Sequence, residues 1–198
     1  IQRVPVTHAR GIFHPKLVLI LVEDPRSPDD DAATLATTRL IVGVLSANLT
    51  RAGWWENVEC AWFGDIVAGS KPRMRRDLME LLGELRRADR TRAEQPALDL
   101  LRSFLRYQVA DSTQRTTNRL LNPRVCVSQA PLHEFLRDTL ALPPNTYNLE
   151  VVSPYFDAQG EGKAVALLIE QLEPKATRIY EPRADDGSTE CDPDVYQG

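Results

Sequence analysis

Ile12-Phe13-His14-Pro15-Lys16-Leu17-Val18-Leu19-Ile20-Leu21-Val22 is an apolar run broken by one imidazole and one ammonium, set two residues apart. A strand sends alternate side chains to opposite faces, so His14 and Lys16 project together from one buried strand. A second run, Leu40-Ile41-Val42-Gly43-Val44-Leu45-Ser46-Ala47-Asn48, reads the same way and delivers Ser46 and Asn48 to one face at its end. Between the two lies Glu23 to Thr38, an acidic stretch with Asp29-Asp30-Asp31 that reads as a solvated hairpin connection. The strands Gly11–Val22 and Arg39–Asn48 are therefore expected to be antiparallel neighbours. An ammonium, an imidazole, an amide and a hydroxyl brought together on such a sheet form a phosphate site.

Outward from these strands the pattern alternates between strand and helix. Gln2 to Val6 reads as a short leading strand, Leu49 to Trp55 as a turn containing Gly53, and Val58 to Phe63 as a third strand. Met74, Leu78, Leu81, Leu82 and Leu85 share one face of a helix. Leu98, Leu101, Phe104 and Leu105 mark a second helix that opens at Pro96. Ala110 to Asn122 has little periodicity and reads as a loop, and Arg124 to Val127 as a short strand. Leu132, Phe135, Leu136 and Leu140 predict a helix ended by Pro143-Pro144. Leu149–Ser153, a helix lined by Val165, Leu168, Ile169 and Leu172, and Thr177–Tyr180 then form a strand-helix-strand unit suited to a parallel crossover. The acidic tail, Ala184 to Gly198, reads as loosely ordered.

Composition bounds the class. The 198 residues are 42% hydrophobic and 26% charged, ordinary for a globular protein. No apolar run approaches the ~20 residues of a membrane helix. Three widely spaced cysteines, Cys60, Cys126 and Cys191, contain no C-x-x-C pair, which argues against a disulfide framework or structural zinc and fits a reducing cytoplasm. Net charge is -4, yet Lys71 to Arg124 holds thirteen Lys or Arg against seven Asp or Glu, a local excess of 13 - 7 = 6 positive charges. Such a segment can track a nucleic-acid backbone; equally, Arg is this protein's general surface cation.

The motif set H-x-K, then a strand ending G-x-x-S-x-N, then Glu59 eleven positions after Asn48, resembles one half-site of the phospholipase D superfamily. Ser46-Ala47-Asn48-Leu49-Thr50-Arg51-Ala52-Gly53-Trp54, with Asn57 and Glu59, is most similar to the nuclease and tyrosyl-DNA phosphodiesterase branches. The likeness is specific over Gly11 to Phe63. It is weaker at Asn148 to Pro182, where Leu149-Glu150-Val151-Val152-Ser153-Pro154-Tyr155-Phe156-Asp157 looks like the opening strand of the second half. The family often carries an Asp shortly after the Lys. Here that place falls in Leu19 to Val22, a departure the phosphodiesterase branch shares.

The resemblance implies an α/β fold: a phospholipase D-like mixed sheet flanked by helices, in an incomplete pseudo-two-fold arrangement. It assigns residues 1–70 to the later part of the first half and 123–198 to the early part of the second. Residues 71–122 fall between them as a helical, locally basic connecting region. With no second H-x-K present, the chain reads as an internal segment of a longer protein, expected to be inactive alone. A continuation of the same chain or a dimer partner would complete the site.

The expected activity is metal-independent phosphodiester hydrolysis, on nucleic acid, with no cofactor. His14 serves as nucleophile and forms a phosphohistidine. Glu59 fixes its tautomer, Lys16 and Asn48 hold phosphoryl oxygens, and Ser46 is a weaker donor to them. Trp54 and Trp55 either stack on a base or tyrosyl group or pack in the core. His8 and His133 read as surface residues, and no His, Cys or carboxylate spacing suits a metal. Two other readings remain open: hydrolysis of phospholipid diesters, and a non-catalytic phospholipase D-like module that binds nucleic acid or a partner.

Overall fold

A computed structural model of the chain describes residues 16–23, 38–46, 50–52, 56, 59–88, 95–112, 123–126, 131–140, 142–153, 163–180 and 186. Among these it is a mixed α/β protein with elements in the order β1 (Leu17–Glu23), β2 (Thr38–Leu45), β3 (Ala61–Val67), α1 (Met74–Ala88), α2 (Pro96–Tyr107), α3 (Leu132–Leu140), β4 (Asn148–Val152), α4 (Lys163–Leu172) and β5 (Ala176–Tyr180). The chain divides into two compact units, Ile1–Val127 and Ser128–Gly198. The strands form two sheets of pure type, β1-β2-β3 and β4-β5, rather than the one mixed sheet expected. The expected leading strand Gln2–Val6 lies outside the described residues, as do nearly all of the acidic tail and most of the 110–122 loop.

In the first unit β1 and β2 pair antiparallel from Leu17↔Val44 to Glu23↔Thr38, as the hairpin reading expects. β3 pairs antiparallel with β2 from Arg39↔Val67 to Leu45↔Ala61. Its position corrects the expectation of a strand over Val58–Phe63. The strand runs four residues further, through Asp65 and Ile66, because its extent follows the ladder of β2 and not its own apolar pattern.

The period-two pleat gives the sheet two different faces. Leu17, Leu19, Leu21, Leu40, Val42 and Ile66 turn to the core, where α1 supplies Met74, Leu78 and Leu82 and α2 supplies Phe104 and Leu105. Leu17, Leu19 and Leu21 are only half-buried, whereas each of the buried side chains contributes about 1.5–3 kcal/mol. Helices α1 and α2, expected as a connecting region, are thus half of this core. On the opposite face Ile20, Phe63 and Val67 are exposed, while Val18 and Val22 are half-buried like the core-facing leucines of β1. The Phe63 ring lies across Gly43: a Cβ built there would meet a ring carbon at 2.6 Å, closer than carbon atoms approach.

Pro96 opens α2, where its missing N–H has no partner to lose, and Asp99 in the first turn complements the helix dipole. The helices run antiparallel: Arg86 near the end of α1 bonds Asp99 at 2.7 Å, while Arg75 near its start donates from Nε to the Leu105 carbonyl at 2.7 Å. The turn after β3 places Gly69 at φ +80, a left-handed conformation that costs glycine least. The Gly69 N–H donates to the Gln108 carbonyl at 2.6 Å and ties this turn to the end of α2.

Among the described residues of this unit Asp77 is the buried charge, 5% exposed on α1. Its carboxylate takes two bonds from Arg124, at 2.6 and 2.7 Å, and one from the Val125 N–H at 3.0 Å. The hydrogen bond to Asp77 raises the Arg124 pKa, against the opposing effect of burial. Among the described residues, 123–126 form no strand, correcting the short strand expected over Arg124–Val127, whose last residue lies outside the described ones. They are held by a carboxylate instead of a ladder.

In the second unit β4 and β5 pair in parallel, Asn148↔Ala176 to Val152↔Tyr180, with α4 as the crossover, as expected. Tyr147 donates its hydroxyl to the Leu172 carbonyl, and Arg137 of α3 reaches Gln171 of α4 at 2.8 Å. On the exposed face of this sheet Tyr180 donates to Glu150 at 2.5 Å, and Arg178 bonds the other carboxylate oxygen at 3.2 Å. That bond, and then the carboxylate's charge, push the Tyr180 phenol above its ordinary value, against a smaller opposing pull from Arg178. Because the folded value is the raised one, the bond is fully present below the unfolded phenol pKa of about 10 and is lost as pH rises through the folded value. Phenolate absorbance is expected to show one late-titrating tyrosine that disappears in Tyr180→Phe and returns to the ordinary range in Glu150→Ala. A Glu150→Ala curve identical to the parent's would exclude the pairing.

Candidate functional site

Three adjacent strand ends meet at one edge of the first sheet. Lys16 immediately precedes β1, Ser46 immediately follows β2, and Glu59 stands two residues before β3. The Leu45 N–H donates to the Lys16 carbonyl at 2.9 Å, extending the β1–β2 ladder by one rung. The Ser46 N–H donates to the Cys60 carbonyl at 2.8 Å, doing the same between β2 and β3. Neighbouring strands are spaced about 4.8 Å apart, so Lys16 and the Glu59 backbone are separated by roughly two strand widths.

Ser46 ends its strand by its own chemistry. The Cys60 N–H donates to the Ser46 hydroxyl oxygen at 2.9 Å, where a continuing ladder would use the Ser46 carbonyl. The hydroxyl in turn donates to Oε2 of Glu59. A hydroxyl has one proton. In this arrangement it goes to Glu59, so Ser46 acts here as a strut for the carboxylate and not as a donor to a substrate oxygen. The pleat puts Lys16, opposite Leu45, on the face of Val18 and Ile20, and Ser46, in step with Val44 and Val42, on the other, so the register does not bring the ammonium and the hydroxyl to one face of the sheet as expected.

The structure thus brings Ser46 and Glu59 into contact and sets Lys16 at the same sheet end. His14, Asn48, Trp54 and Trp55 lie outside the described residues. His133 is half-buried on α3 in the second unit. Among the described residues no group of His, Cys, Asp and Glu is arranged to hold a metal ion. Nor, among them, is any helix long and apolar enough to cross a membrane.

A second polar cluster escaped the motif reading. Asp99, Arg102, Ser103 and Arg106 recur at helical spacing along α2 and, with Tyr107 and Met79 of α1, line an open groove of about 220 Å³. The signal was present as an i, i+4 arginine pair within the basic segment, but spacing alone does not distinguish a groove from a solvated helix face.

No protein-family model, curated protein or solved structure matches the chain.

Proposed function

We propose that the chain carries one half of a metal-independent phosphodiesterase site that acts on nucleic acid, with His14 as nucleophile. The observation that supports this best is the Ser46–Glu59 hydrogen bond at the sheet end where Lys16 enters β1. It joins two elements of the motif set that lie thirteen residues apart in sequence. In this reading one ring nitrogen of His14 attacks phosphorus; the P–N bond forms as the bond from phosphorus to the leaving oxygen breaks. The leaving oxygen takes a proton from a general acid, and water then attacks the phosphohistidine with that group acting as base, releasing His14. Lys16 offsets charge on the non-bridging oxygens and Asn48 donates to them. Glu59, steadied by Ser46, accepts from the other ring nitrogen and sets the tautomer.

The 198 residues hold a single H-x-K, since His8 is followed by Ala9-Arg10 and His133 by Glu134-Phe135. The general acid is then supplied by a second H-x-K, from a longer polypeptide or a second copy of the chain. The test is turnover of a labelled oligonucleotide diester by the full-length protein, with and without EDTA, followed by alkaline quenching and peptide mapping. Unchanged turnover in EDTA and a phosphorylated His14 peptide are expected. Loss of turnover on chelation, restored by Mg or Zn, would assign a metal nuclease instead. Tight binding with no turnover would leave a non-catalytic module.

A further inference from the structure

We infer that the α1–α2 groove is a binding site for single-stranded nucleic acid, in which Arg102 and Arg106 hold a backbone phosphate and Tyr107 stacks on the adjacent base. Arg102 carries the argument. Its Nε is buried and makes no hydrogen bond, in a side chain that, among the described residues, has neither an ion pair nor a hydrogen bond. Leaving a buried guanidinium N–H unsatisfied is costly, and such groups are rare in folded proteins. That Nε is closed to solvent, so an anionic oxygen in the groove is met instead by the terminal guanidinium nitrogens of Arg102, whose side chain lines it.

The charges around it point to the same ligand. Among the described residues Asp99 is the one carboxylate lining the groove, and it is already paired with Arg86 at 2.7 Å. Arg106 stands one turn beyond Arg102 on the same face, with Ser103 between them as a hydroxyl donor. On α1 the stripe through Met79 carries Arg76, Gly83 and Arg86, so no acidic residue opposes the pair along that line. At about 220 Å³ the groove is smaller than the ~300–1,000 Å³ that encloses a whole small molecule, so it suits one group of a longer ligand.

Tyr107 specifies the form of that ligand. It is 75% exposed at the end of α2, and the Arg106 guanidinium lies 5.5 Å from its ring centroid. An exposed aromatic beside arginine offers a stacking platform, which an unpaired base reaches and a base inside a duplex does not. The site is separate from the strand-end cluster and needs no phosphohistidine chemistry.

Fluorescence anisotropy of a labelled 15-nucleotide oligo-dT with the full-length protein tests this. The double variant Arg102→Ala/Arg106→Ala is expected to weaken binding at least ten-fold and to make the logarithmic salt dependence shallower by about 0.7 per lost phosphate contact. Tyr107→Ala should weaken it about five- to 150-fold. Because Tyr107 is so exposed, that variant keeps the test valid if the double variant fails to fold. Lys16→Ala, measured in parallel for binding only, separates the two sites. If the groove variants bind oligo-dT as the parent does, or if only Lys16→Ala weakens binding, the groove assignment is overturned. Equal affinity for duplex of the same length would overturn the single-strand assignment. A protein that loses binding in the groove variants yet never forms phosphohistidine would uphold the groove and refute the catalytic proposal.

Discussion

His14→Ala in the full-length protein is expected to abolish covalent labelling by a diester, while Lys16→Ala should leave labelling detectable and slow turnover by about 10²–10³-fold. The difference follows from the two roles. In the proposed mechanism, removing the imidazole removes the atom that bonds to phosphorus. Removing the ammonium leaves the nucleophile and its carboxylate in place. What is lost is stabilisation of the charge that develops on the non-bridging oxygens, about 2.7–4 kcal/mol by analogy with oxyanion donors. Rapid-quench labelling and steady-state turnover read the two effects separately. Undiminished turnover of the His14→Ala protein would show that the H-x-K motif is a scaffold remnant.

The largest effect on stability is expected at Asp77. Replacing it by Ala should destabilise the first unit by about 3–5 kcal/mol, the range for breaking a buried ion pair by removing one partner. Asp77 is 5% exposed and receives three hydrogen bonds, two from Arg124 and one from the Val125 N–H. Truncation leaves that guanidinium, whose side chain is 24% exposed, without the carboxylate that compensates its desolvation. It also frees residues 123–126 from α1. Asp77→Asn keeps one acceptor for Val125 and should lose less. Urea unfolding of both variants, followed by a probe placed in the first unit, would measure the order; a loss below about 1 kcal/mol for Asp77→Ala would mean that the pair is no stronger than a surface ion pair.

Local pattern made the helices and the first hairpin legible. The leucine stripe of α1, the proline at the start of α2 and the acidic connection before Thr38 each carry their own physical cause, a helical period, a fixed φ or a polar turn, within a few residues. The β4–α4–β5 crossover was legible for the same reason. β3 was displaced because β2 decides where its hydrogen-bonding partners begin and end. The segment 123–126 looked like a strand because Val125 and Cys126 are strand formers, but the carboxylate that holds it lies on α1, 47 residues away from Arg124.

The motif spacing named Lys16, Ser46 and Glu59, and antiparallel pairing was enough to bring their strand ends together. That Ser46 donates to Glu59 depended on the strand breaking at Ser46, where a side-chain oxygen replaced a backbone acceptor. The α2 groove depended on how two helices packed. Sequence by itself determined the helices, the first hairpin pairing and the parallel crossover, because those follow from local periodicity and composition. Tertiary structure alone decided that the strands divide between two sheets, that Ser46 braces Glu59, and that the Arg102 Nε is buried with no hydrogen bond among the described residues. Those outcomes rest on hydrogen bonds and burial between residues distant in the chain, which no local pattern encodes.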